Sequence, residues 1–233
     1  MLQDLKKDLR KFADPKKVPD YQRFFKTSPG EYGEGDIFLG IKVPNSRKVA
    51  KKYIKLPLEK IQALLKSKFH EERFVGLVIL VLKYKKGEED EKQKIYDFYL
   101  KNTKYINNWD LVDVSCHKVI GLHLVERDRS IIYKLAKSKD LWEKRISVIS
   151  TFAFINIGQF EDTLKISEIL VKDDHDLIHK AVGWALREVG KKDQKMEEGF
   201  LKKHYKTMPR TMLRYAIEKF PEDLRQKYLK GEL

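Results

Sequence analysis

Cysteine is almost missing from this 233-residue chain: Cys116 is the only one. A single thiol excludes an internal disulfide and any thiolate-held zinc or iron–sulfur cluster, and it suits a reducing compartment. Long apolar runs are also missing, since none approaches the roughly 20 residues a membrane span needs. The opening Met1-Leu2-Gln3-Asp4-Leu5-Lys6-Lys7 is charged, which does not fit a signal peptide. Strand-type alternation is essentially absent. Glycine gathers in one place, Ser28-Pro29-Gly30-Glu31-Tyr32-Gly33-Glu34-Gly35-Asp36. That loop has neither the preceding strand nor the following Lys-Ser/Thr of a phosphate-cradling loop. Its acids, Glu31, Glu34 and Asp36, argue further against phosphate, so it reads as a connector. Acids are in deficit overall: 35 Asp and Glu against 49 Lys and Arg give a net charge of +14. Such an excess favours a polyanionic partner, because each neutralised phosphate releases counterions. Nucleic acid and an anionic membrane surface both fit; a small acidic substrate fits less well.

Helical periodicity is what the chain does have. Leu2, Leu5, Leu9 and Phe12 predict a short helix ending before Asp14-Pro15. A second begins near Pro19-Asp20 and carries Tyr21, Phe24 and Phe25. From Val43-Pro44 onward helices follow without interruption, the first of them capped by Asn45 or Ser46 and running to Tyr53. The expected organisation is one domain over 1–233, with N-terminal helices and the glycine-rich loop in 1–42 and repeated helix pairs in 43–233.

The stretch that concentrates chemistry is Asn107-Asn108-Trp109-Asp110-Leu111-Val112-Asp113, opening a helix predicted to run to Ile120. Val112, Cys116 and Val119 give its buried stripe. Asn107 or Asn108 can cap it, and Asp110 suits the positive end of the helix dipole. Trp109 and Asp113 lie four apart and share a face. The plainer alternative makes Trp109 a core aromatic and Asp113 a solvated acid. Segments around Arg73, Asp113, Arg145, Lys180 and Leu213 can be superposed at spacings of 40, 32, 35 and 33 residues. Helix pairs recurring at that interval predict an all-α fold, an α-solenoid of HEAT-like pairs. Equivalent positions of successive second helices line one concave surface in such a fold. Arg73, Arg145 and Lys180, with Arg187 and Arg214 nearby, then predict a basic groove interleaved with Trp109 and Trp184. Each charge taken singly is as well explained by a solvated helix face. Trp184 equally suits core packing, and Gly183 a close helix contact.

The ordered set Asn108 to Asp113, Leu141-Trp142-Glu143-Lys144-Arg145 and Lys180-Ala181-Val182-Gly183-Trp184-Ala185-Leu186-Arg187-Glu188 resembles the AlkD-type DNA alkylation repair family, the HEAT-repeat DNA glycosylases. Phe38-Leu39-Gly40-Ile41 through Pro44, with Arg47, looks like that family's N-terminal signature. The resemblance spans nearly the whole chain. It implies a monofunctional glycosylase that removes N3- and N7-alkylated purines from double-stranded DNA without drawing the base into a deep pocket. By the same resemblance Asp113 is the catalytic carboxylate, Trp109 and Trp184 are cleft aromatics, and Arg145 is a DNA contact beside the lesion. No metal or nucleotide cofactor is implied. A cytoplasmic, nucleoid-associated monomer with no membrane partner is the simplest expectation. The sequence departs from the family pattern at Phe24, which stands where a tyrosine occurs. It departs again in the longer Ser28–Asp36 loop, and at Asn108, where a second tryptophan can occur.

His175 and His179 are four apart, but no third ligand is evident, and Asp173, Asp174 and Asp176 read more simply as cap and dipole residues. Cys116 falls on the buried stripe and reads as core. His117 and His123 form no triad. Two rival functions remain: a non-catalytic binder of DNA structures using the same basic groove, and a helical adaptor for an acidic protein partner. A groove-facing acid favours the enzyme over the plain binder, and steep salt dependence would separate either DNA function from the adaptor.

Overall fold

The computed structural model describes residues 1–233. The fold is all-α, an α-solenoid of packed helix pairs, and its only extended pairing is an isolated bridge between Ile37 and Phe69. Two compact units divide the chain, Met1–Val119 and Ile120–Leu233.

The first unit contains α1 (Leu2–Arg10), α2 (Val18–Phe24), α3 (Val43–Lys52), α4 (Leu58–Leu65), α5 (His70–Lys86), α6 (Glu89–Lys101) and α7 (Trp109–Cys116). Helix α5 is its centre. It is buried continuously from His70 to Leu80, with α3, α4 and α7 packed around it. Such all-round burial leaves no polar face, so the sequence pattern of α5 has little amphipathic signature. Helix α1 is the opposite case: Leu5 and Leu9 are buried, while Lys6 and Arg10 reach the fully buried Glu72 of α5 at 2.7 and 2.8 Å. Two cations on a buried carboxylate offset its loss of water, which an unpaired charge there could not sustain.

Two expected helix limits shift. Helix α3 starts at Val43, with Lys42 extended before it, so neither Asn45 nor Ser46 is the cap. Pro44 falls in the first turn, where a fixed φ and a missing N–H cost nothing. Helix α7 stops at Cys116 and widens into a π-helical turn over His117–Gly121. That local change of pitch leaves the apolar spacing nearly unaltered and is invisible to periodicity.

The second unit contains α8 (Ser130–Ala136), α9 (Leu141–Ser150), α10 (Phe152–Asn156), α11 (Glu161–Leu170), α12 (Asp176–Gly190), α13 (Gln194–His204), α14 (Arg210–Ala216) and α15 (Glu222–Lys230). Helix α12 is its hub and packs on α9, α11, α13 and α14. Gly183 makes the α12–α14 approach possible: a Cβ there would stand 2.5 Å from the Met212 carbonyl oxygen and 2.6 Å from Tyr215 Cβ. The cap of α12 is His175, whose Nδ1 accepts from the Leu177 amide at 3.1 Å, rather than any of the aspartates around it. Asp173 instead accepts from the His175 amide and from Lys144, at 2.9 and 2.6 Å.

Candidate functional site

A cavity of about 990 Å³ opens in the first unit, lined by residues of α2, α3, α5 and α7, by Phe38 and by Lys118 of the π-helical turn. Trp109 and Asp113 both line it, as does Arg47. Asn108 caps α7: its side-chain oxygen accepts from the Trp109 amide at 2.8 Å, which sets where the indole leaves the backbone. One turn on, the same helix delivers the half-buried Asp113.

Aromatic rings form much of the wall. Phe25 stacks on Trp109 with centroids 5.3 Å apart and planes 19° apart, and Phe24 meets the same indole edge-on at 5.6 Å. Phe38 stacks behind Phe25 at 5.0 Å. Offset and edge-on arrangements of this kind are the favoured ones for ring quadrupoles, so the indole is held rather than loose. Phe24 itself is 63% exposed.

Behind the rings lies a buried ionic network. The His70 imidazole, 3% exposed, sits between Phe25 and Phe38 at 4.9 and 4.7 Å. Its Nδ1 donates to Asp36 at 3.1 Å and its Nε2 to Asp110 at 2.8 Å. Burial works against a charged imidazole, but the Asp110 and Asp36 carboxylates prevail and hold its pKa up at about 9. Asp36 also accepts from Arg73 Nη2 at 2.5 Å and from Asn108 Nδ2 at 3.2 Å. Its carboxyl stays below the usual range although burial pushes the other way, because His70 and Arg73 favour the anion. Asp36 therefore joins the glycine-rich loop, α5 and the first turn of α7. The loop read as a connector is a structural tie.

Three more acids at the cavity have partners that fix the local backbone or ring positions. Asp110 is held by His70, and Asp20 pairs with Arg23 at 3.1 Å. Glu71 accepts the amides of Leu39, Gly40 and Ile41 at 2.9–3.1 Å. Gly40 adopts φ +77°, a conformation other residues resist, and its missing Cβ makes room for the Asp14 carbonyl.

The cations expected in a groove divide. Arg73 is 5% exposed and spends its guanidinium on Asp36 and on the Ser67 carbonyl at 3.0 Å, so it faces the core and not a groove. Arg145 is likewise 5% exposed and donates to the Leu177 carbonyl at 2.7 Å. Both correct the reading of these positions as solvent-facing: a planar fork that can satisfy a carboxylate or carbonyl is the cation most readily buried. Arg47 is exposed, its guanidinium 6.0 Å above the Phe74 ring. In the second unit Lys180 pairs with Asp176 at 2.6 Å, Arg187 with Glu218, and Arg214 is exposed. Trp184 is half-buried, with Phe152 edge-on at 4.7 Å and its indole N–H donating to Glu188 at 3.1 Å.

Several site residues escaped the sequence reading: Asp36, His70, Glu71, Phe38 as a wall residue, and Lys118. Of these, Phe38 carried a signal, as the start of the Phe38–Pro44 signature, and the neighbouring wall residues Phe24 and Phe25 showed as a doublet of rings beside the glycine-rich loop.

An all-helical fold with an aromatic cleft in a basic chain is the frame in which the comparisons with known proteins fall. The profile of the DNA alkylation repair enzyme family matches residues 5–220, and the chain belongs to that family. Among solved structures, a protein of Enterococcus faecalis described as a predicted DNA alkylation repair enzyme aligns with a TM-score of 0.69. It shares 16% identity, with 90% of this chain and 97% of that one covered. At that identity the likeness speaks to the fold. No curated protein matches the chain.

Proposed function

We propose that the protein is a DNA glycosylase that hydrolyses the N-glycosidic bond of N3- or N7-alkylated purines in duplex DNA, without metal or cofactor. The observation that carries this reading is the pairing of Trp109 and Asp113, one helical turn apart on α7, on one cleft whose wall is built of aromatic rings. Alkylation at N3 or N7 makes the purine cationic. Its bond to C1′ can therefore break with the electron pair going to the ring, giving a neutral leaving base and no demand for a general acid. The deoxyribose is left with positive charge shared between C1′ and the ring oxygen. The Asp113 carboxylate stabilises that charge, and it can accept the proton of the water that adds to C1′. The Trp109 indole face attracts both the cationic lesion and the developing sugar cation. Phe25, stacked on Trp109, holds that face in place.

Within the second unit, Trp184 is the candidate aromatic contact to DNA, and Lys180, Arg187 and Arg214 are the candidate phosphate contacts. Arg73 and Arg145, committed to internal acceptors, act by holding the elements that carry the site. The test is release of N7-methylguanine from methylated duplex DNA by the wild type and by Asp113→Asn.

A further inference from the structure

Asn108, Trp109 and Asp110 follow one another at the start of α7, and all three are held from one imidazole on α5. Asp110 is bonded to His70 directly, its Oδ2 accepting from Nε2 at 2.8 Å. Asn108 is held through Asp36, whose Oδ2 accepts both from His70 Nδ1 at 3.1 Å and from Asn108 Nδ2 at 3.2 Å. Trp109, between them, is held by its ring face. Phe25 stacks on the indole at 5.3 Å and packs on the His70 ring at 4.9 Å.

The geometry specifies the charge on this imidazole. Both ring nitrogens face carboxylate oxygens at hydrogen-bond distance, and only the imidazolium has an N–H on each. A neutral ring would set its bare nitrogen against a carboxylate lone pair and let go of either Asp36 or Asp110. Each of those two leads to a residue adjoining Trp109. Core packing alone gives no reason for the arrangement, since an apolar side chain between Phe25 and Phe38 would avoid burying any charge. We infer that His70, as the imidazolium, is the positioning residue of the cleft: it fixes the backbone and the ring face of Trp109 together, and loss of its proton releases both.

The groups that bear on the ring are few. Asp36 comes from the glycine-rich loop, Asp110 from α7 and Arg73 from α5 itself, while Phe25 and Phe38 present only rings. Burial opposes the charge most strongly and Arg73 adds to that, yet the two carboxylates hold the proton on until about pH 9. Lys118 and Tyr21 also line the cavity, and burial moves the first down and the second up. Both are common to wild type and His70 variants, so a difference between those proteins is not theirs. The effect on chemistry rests on the glycosylase reading; the hold on the indole does not.

The test follows the Trp109 indole N–H resonance of the full-length, 15N-labelled protein from pH 6 to pH 10, assigned by its loss in Trp109→Phe. Wild type, His70→Gln and Asp36→Asn are compared, with helicity and melting checked first. Single-turnover release of N7-methylguanine and duplex affinity are measured over the same interval. In wild type the Trp109 resonance should shift with a midpoint near 9. The midpoint should fall in Asp36→Asn, which removes one of the two anions, and the transition should vanish in His70→Gln. Release by wild type should exceed that by His70→Gln about tenfold near pH 7, with affinity changed less than about twofold. That ratio should approach one by pH 10, and taking it cancels any titration of the substrate. A Trp109 resonance that does not titrate, or titrates alike in wild type and His70→Gln, overturns the proposal. So does a release ratio that stays constant with pH. If His70→Gln does not fold, an unshifted midpoint in Asp36→Asn overturns it instead. If the resonance behaves as expected and no protein releases base, the positioning of the indole stands and the glycosylase reading falls.

Discussion

Replacing His70 with glutamine should change stability in a way that depends on pH, and the structure sets the size. The imidazole is buried between two phenylalanine rings and bonded to Asp36 and Asp110. Its pKa rises from 6.5 to about 9. At about 1.4 kcal/mol per unit, this amounts to about 3 kcal/mol of preference for the protonated folded state. The folded pKa lies above the unfolded one, so the folded chain binds the extra proton. The stabilisation is complete below pH 6.5 and is lost as pH rises through about 9. His70→Gln lacks it at every pH. Urea denaturation of the two proteins at half-unit intervals from pH 6 to pH 10 isolates the effect, since all other titrating groups are shared. The gap between them should be widest near pH 6 and narrow by about 3 kcal/mol by pH 10. Tryptophan fluorescence should report it too, because Phe25 touches both His70 and Trp109. A gap that stays constant with pH would refute the charged network and leave His70 as a neutral packing residue.

Glu197 is 1% exposed, and burial, reinforced by Glu198, pushes its carboxyl up to about 9 from 4.5. Stability linked to it is present below pH 4.5 and lost as pH rises toward 9, so Glu197→Gln should gain relative to wild type across that interval. Parallel urea midpoints for the two proteins would contradict this. Gly183→Ala should lower stability by about 1–3 kcal/mol, because the neighbours of its Cβ include the Met212 carbonyl, which cannot step aside. An unchanged melting temperature would count against the tight α12–α14 approach. Trp109→Ala should reduce release of methylated bases more than it reduces affinity for undamaged duplex; an equal loss in both would make the indole a general binding residue.

The helical class was legible because amphipathic spacing survives in most helices. Helix α5 shows why some limits were not: buried all round, it lacks a polar face to mark it. The cap, read as Asn107 or Asn108 and found at Asn108, and the Trp109–Asp113 pair could be read directly, since both depend only on neighbours along one helix. Asp36 could not. Its partners His70, Arg73 and Asn108 lie 34, 37 and 72 residues away, and an acid in a glycine-rich loop looks like any other exposed turn. Arg73 and Arg145 were misplaced for a related reason. Repeat phase predicts where a Cα stands, but whether a guanidinium turns to water or to a buried acceptor depends on elements the repeat does not encode. The π-helical turn that carries Lys118 into the cleft likewise leaves no mark on the apolar pattern.

The central claim is that the Asp113 carboxylate drives loss of a cationic purine. Its most direct measurement is single-turnover release of N7-methylguanine from methylated duplex by wild type and Asp113→Asn, with affinity for the same duplex measured alongside. The account predicts release by wild type and a loss of at least about a hundredfold in the variant, with Kd changed less than about threefold. No release by either protein, with salt-sensitive binding intact, would contradict it and leave a protein that binds DNA without cutting the base free.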